Sequence, residues 1–100
     1  MVSDEYLIKT TDGTDYQFGG KSIQDCISPD DLEFSVVPPK YGDVGLVINS
    51  VELCFCLEPP GLQVAIEEGE STEQEISSIL NAVISKLEKT TGKKGEYIPL

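Results

Sequence analysis

One hundred residues carry eighteen acidic and seven basic side chains, every basic one a lysine, for a formal net charge of −11, with no histidine, arginine or tryptophan. That composition excludes Ser-His-Asp and Cys-His catalysis, which need an imidazole, and it excludes the bidentate guanidinium clamp on phosphate or carboxylate. It also sets a few lysines against a surplus of carboxylates, so neither nucleic acid nor an anionic membrane is an expected partner, whereas a basic protein is attracted over a Debye length of roughly 8 to 10 Å.

The length suits a single domain spanning residues 1–100, and 39% hydrophobic with 25% charged residues is ordinary globular composition. Met1-Val2-Ser3-Asp4-Glu5 offers no basic n-region or apolar h-region, and no stretch approaches the ~20 apolar residues of a membrane span, so a cytoplasmic location is expected. Three cysteines, an odd number, argue for free thiols rather than a disulfide framework.

In chain order, two-fold alternation comes first. Residues 5–10 and 15–18 read as strands joined through Thr11-Asp12-Gly13-Thr14, where Asp-Gly suits a tight hairpin. Residues 19–31 read as loop or a short helical turn, with Ile23, Cys26 and Ile27 as core anchors. A third strand covers 32–37 and stops at Pro38-Pro39, which cannot continue a ladder. Residues 46–57 read as one long bent strand or as two, for want of a strong turn signal. Pro59-Pro60-Gly61 makes a turn before a strand at 62–66.

The strongest pattern lies between Ser71 and Gly92. Ile76, Ile79, Leu80, Val83, Ile84 and Leu87 fall on one helical stripe. Ser71 with Gln74, or Thr72 with Glu75, offers a capping box, Lys86 and Lys89 occupy the last turns, and Gly92 stands at the C-cap. Residues 96–100 complete the chain as a short strand. The expected fold class is α+β: an antiparallel or mixed sheet of about five to seven short strands, one long amphipathic helix over residues 72–91 on one face, and a short C-terminal strand.

Few residues carry a chemical signature. Phe18-Gly19-Gly20-Lys21-Ser22 ends like a phosphate-binding loop, but Asp15 stands where the first glycine is required. Cys54 and Cys56 share a strand face with Glu52 and Glu58, yet zinc would need further soft ligands and only Cys26 remains; the simpler expectation is two small side chains packed under the helix. Asp12 to Asp15 lack the alternation of a calcium loop, and Asp30-Asp31 after Pro29 reads as a turn or cap. No cofactor and no metal are expected, and the chain is not expected to be an enzyme.

What remains is a surface for binding. Glu67, Glu68, Glu70 and Glu73 form an acidic run denser than helix capping needs, and together with Asp30, Asp31 and Glu33 they would offer a steering field to a basic protein. Tyr41, in a loop stiffened by proline, is a candidate interface anchor. The expected function is therefore a non-catalytic acidic protein-binding domain, an inhibitor or immunity-type protein that neutralises a basic partner such as a toxin nuclease. The alternative is a small-ligand-binding or accessory-subunit domain of a larger complex, in contact through the sheet face opposite the helix or through its edge; homodimerisation would use the same surface.

Overall fold

A computed structural model describes residues 5–40, 42–58, 61–68 and 72–100, without the side chains of Glu67 and Glu68. The chain runs β1 (Glu5–Thr10), α1 (Ile23–Ile27), β2 (Phe34–Val37), β3 (Val44–Ile48), β4 (Val51–Glu58), β5 (Gly61–Glu68), α2 (Glu73–Thr91) and β6 (Gly95–Pro99). The six strands make one sheet in the order β2-β3-β4-β5-β1-β6, and every neighbouring pair is antiparallel. The architecture is α+β, with the long helix packed on the sheet and a short strand closing the chain.

Alternation in the sequence becomes a two-sided sheet through register. Val44, Leu46 and Ile48 stand opposite Phe55, Leu53 and Val51, and Phe55 and Leu53 in turn face Val64 and Ile66 across β5. This apolar face meets Ile76, Ile79, Leu80, Val83, Ile84 and Leu87 of α2, all buried, in one core. Side chains of that size each favour the folded state by roughly 1.5–3 kcal/mol when fully buried. Thr72 Oγ1 accepts from Glu75 N at 3.2 Å at the start of α2, and Gly92, at φ 78°, ends it in the left-handed conformation that glycine adopts without Cβ strain.

Several expectations are corrected. Residues 15–18 form no strand: both sides of β1 are already occupied, by β5 and by β6, so no ladder is left for them. The turn at 11–14 forms nonetheless, with Thr14 N donating to Asp12 Oδ1 at 3.0 Å, and the chain beyond it lays Tyr16 and Phe18 into the core as loop. Of the two alternatives for residues 46–57, the two-strand one forms, because Asn49 and Ser50 both take positive φ, 50° and 68°, the pair of left-handed residues that a two-residue type I′ hairpin requires. The third strand begins at Phe34, not at Leu32. Strand β5 extends through Glu67 and Glu68, which places Glu68 opposite Glu52 in the ladder rather than in a connection ahead of the helix. Cys54 and Cys56 lie on the sheet face away from α2, since Val51, Leu53 and Phe55 occupy the helix side.

Candidate protein-binding edge

The two outermost strands are β2 and β6, and the direction of their free backbone groups follows from register. In a two-residue hairpin the flanking residues exchange hydrogen bonds, so the pairing of Ile48 with Val51 turns the N–H and C=O of Ile48, Leu46 and Val44 toward β4. Gly45 and Val47 therefore bond to β2, through Val37 and Ser35. Phe34 and Val36 are left with N–H and C=O groups directed out of the sheet. Among the described residues no other backbone group takes them up.

The side chains at those positions are unusual for their face. Phe34 and Val36 are register partners of the buried Ile48 and Leu46, and so belong to the apolar layer, yet they are 41% and 51% exposed. Beyond β3 the helical layer no longer covers the sheet. An open groove of about 640 Å³ wraps this edge, lined by Phe34 from the helix side, Ser35 and Val47 from the other face, and Leu32, Asp30 and Glu33 from the chain entering β2.

Charge on this groove is acidic. Lysine is absent from its lining. Lys86 Nζ and Lys89 Nζ reach Asp30 at 2.7 and 3.0 Å, and the hydrogen bonds from Lys86 and then Lys89 hold its carboxyl below the usual carboxylate range. The same contact raises Lys89. Asp30 thus clips the chain entering β2 onto α2. Glu33 and Glu52, by contrast, form no salt bridge among the described residues.

Of the expected acidic cluster, the described members Asp30, Asp31, Glu33 and Glu73 are placed as follows. Asp30 is committed to two lysines, Asp31 is exposed beside a small cleft against Ala82 and Ser85 of α2, and Glu33 lines the groove. Glu73 is exposed in the first turn of α2, which at 1.5 Å per residue lies about 20 Å along the axis from Lys86. Glu67 and Glu68 are in β5 with their side chains outside the described residues, and Glu70 and Tyr41 lie outside the described residues altogether. The groove itself was not legible beforehand: Phe34-Ser35-Val36-Val37 alternates like any core strand, and its edge position depends on pairing far along the chain.

The remaining polar features are structural. Ser22 of the Gly-Gly-Lys-Ser run caps α1, its Oγ accepting from Asp25 N at 3.1 Å. Cys26 is buried in the core, Cys54 is buried, and Cys56 is half-buried. Desolvation, followed by the Asp43 and Glu58 carboxylates, pushes the Cys56 thiol up, away from the thiolate that redox or nucleophilic chemistry needs. Among the described residues no three Cys, Asp or Glu side chains gather into a group that could hold a metal ion, and no helix is long and apolar enough to cross a membrane.

No protein-family model, no curated protein and no solved structure matches the chain.

Proposed function

We propose that this chain is a non-catalytic acidic domain that binds a basic protein, in the manner of an inhibitor or immunity-type protein that masks a cationic site such as that of a toxin nuclease. The observation that carries the reading is the groove at the β2 edge. It combines the exposed apolar side chain of Phe34 with carboxylates and no lysine in its lining, beside the exposed Val36 of the same strand, on a molecule of net charge −11. Apolar anchors supply short-range affinity, and the surrounding negative field raises the association rate. Because Asp30 is internally paired and Glu73 lies at a distance, the recognition charge is assigned to Glu33 and Glu52.

The test is capture from native lysate at low salt and at ~0.5 M salt, with the unaltered protein beside a Glu33→Lys, Glu52→Lys double variant. A basic protein retained at low salt, released at high salt and lost to the charge-reversed variant is the expected outcome. Retention of an acidic or neutral protein, indifferent to salt, would sink the reading. That second result would favour the accessory-subunit alternative, for which the sheet face away from α2, with half-buried Leu7, Val47 and Cys56 and the exposed Ile98, is the contact surface.

A further inference from the structure

We propose that the outer edge of β2 accepts an extended segment of the basic partner as a seventh strand, a segment in which apolar and cationic residues alternate. The inference deepens the reading of the domain as a binder of a basic protein and rests on it.

The backbone makes the first part of the case. Phe34 and Val36 direct their N–H and C=O groups outward, two donors and two acceptors in strand geometry, with nothing among the described residues bonded to them. Such an edge is a template for strand addition. Strand β2 has no lysine, no proline and no bulge between Phe34 and Val37, and the template it offers is four residues long, ended by Pro38-Pro39. The groove has lining residues from both faces of the strand, Phe34 on one side and Ser35 on the other, and continues to Asn49 and Ser50 of the β3–β4 turn, so it opens the first half of the edge, with the exposed Val36 beyond it.

The side chains then specify the occupant. Residues of an added strand alternate between the two faces, each facing a β2 neighbour. On the helix side those neighbours are Phe34 and Val36, exposed and apolar, which select apolar partners. On the other side they are Ser35 and, one alternation earlier, Glu33, with Glu52 two strands inward beyond Val47; these select cations. A second copy of this chain fits poorly, since it would bring two surfaces of net charge −11 together.

The probe is a short blocked peptide alternating lysine and valine, compared with a charge-matched peptide alternating lysine and proline, which cannot pair as a strand. Amide hydrogen exchange read by NMR is expected to slow about tenfold or more at Phe34 and Val36 when the valine peptide is added, with the proline peptide giving no such protection. Val36→Pro removes an outward N–H without touching the β2–β3 ladder, and is expected to reduce binding of the valine peptide to the level of the proline peptide. The peptide comparison on the unaltered protein decides the matter even where that variant fails to fold.

Equal, salt-sensitive binding of both peptides would overturn strand addition while leaving the basic-partner reading standing. Protection that appears at β6 instead would also overturn it. Binding of neither peptide up to about 1 mM would sink both readings, and Phe34 and Val36 amides already protected in a free protein of dimer mass would assign the edge to a second copy.

Discussion

The two edges of the sheet are built from opposite materials. At β6, Thr11 N donates to Lys94 O at 3.0 Å and Leu100 N to Glu5 O at 2.9 Å, which by alternation directs the backbone groups of Gly95, Tyr97 and Pro99 outward. Pro99 thus sits at an outward position, where its missing N–H withholds a donor from any incoming strand. The Tyr97 hydroxyl donates to Ser77 Oγ of α2 at 2.8 Å, and its ring stands edge-on to Tyr6 with centroids 5.7 Å apart. At β2 the outward positions are Phe34 and Val36, both able to donate, and the chain leading into the strand is held to α2 by the ion pairs of Asp30. One edge is packed against α2 and lacks a donor at one of its three outward positions, the other can donate at both of its outward positions and is fastened by charge. Such asymmetry within one sheet separates residues that hold the fold from residues left free for a partner.

Truncating one aromatic at each edge should break that comparison most sharply. Tyr97→Ala removes a half-buried ring, its contact with Tyr6 and its hydrogen bond to α2, and is expected to cost about 2 kcal/mol or more of stability. Phe34→Ala, at 41% exposure, is expected to cost less than about 1 kcal/mol. Binding of the basic partner should reverse the order, falling about tenfold or more for Phe34→Ala and staying near the unaltered value for folded Tyr97→Ala. Denaturant melts and titration calorimetry on the two variants give all four numbers; a Phe34→Ala protein that melts early but binds normally would make β2 a structural edge.

Helix and core were legible because their signals are local. The stripe from Ile76 to Leu87, the Thr72 cap and the terminal Gly92 lie within one stretch of chain, and each enforces the same boundaries. The misreadings come from non-local pairing. Asp15 to Phe18 alternates well enough for a strand, but β1 is paired on both sides by strands from the far end of the sequence. A local ambiguity, one strand or two over residues 46–57, stayed open for a different reason: Asn49-Ser50 forms a type I′ turn without the glycine that makes such turns easy to read. Non-local pairing also hid the candidate edge: Phe34 and Phe55 look alike in an alternating pattern, and only strand order makes one exposed and the other fully buried. Net charge suggests a basic partner without naming side chains for it, and Asp30, one of the candidates, is paired with Lys86 and Lys89.

Acid should act first at the β2 side. Asp30 has a folded-state pKa below the ordinary carboxylate value of about 3.9, so its contribution is fully present above that value and is lost as pH falls through the lower, folded one. Asp30→Asn is expected to melt at lower temperature than the unaltered protein at pH 7, and the gap is expected to narrow as pH falls below the ordinary carboxylate value and the carboxyl of the parent is itself protonated. A gap of constant size across that range would mean that the clip contributes through packing rather than charge.

Alkali should act at the β6 side, through a smaller effect. Tyr16 is buried, and its hydroxyl occupies the space where a side chain on Gly95, the first residue of β6, would lie. Among the described residues that hydroxyl has no hydrogen-bond partner. Burial, with a lesser contribution from the Glu88 carboxylate, pushes its pKa up to about 12. The neutral phenol is therefore favoured by the fold, and the stability it contributes is complete below the unfolded value of about 10 and is lost as pH rises from there to the folded value. Tyr16→Phe deletes both the orphan hydroxyl and its ionisation. The variant is expected to be equal to or slightly more stable than the parent at pH 7, by about 0 to 1 kcal/mol, because an unsatisfied polar group leaves the interior. It should also lack the part of the parent's decline between about pH 10 and 12 that phenol ionisation produces. Thermal melts of the pair across that range test the point, and alkaline limbs that superimpose would show that ionisation of Tyr16 does not drive the decline. Melts of Asp30→Asn beside Tyr16→Phe across the alkaline range separate the two contributions, because the contact with Asp30 that raises Lys89 is itself lost toward alkali.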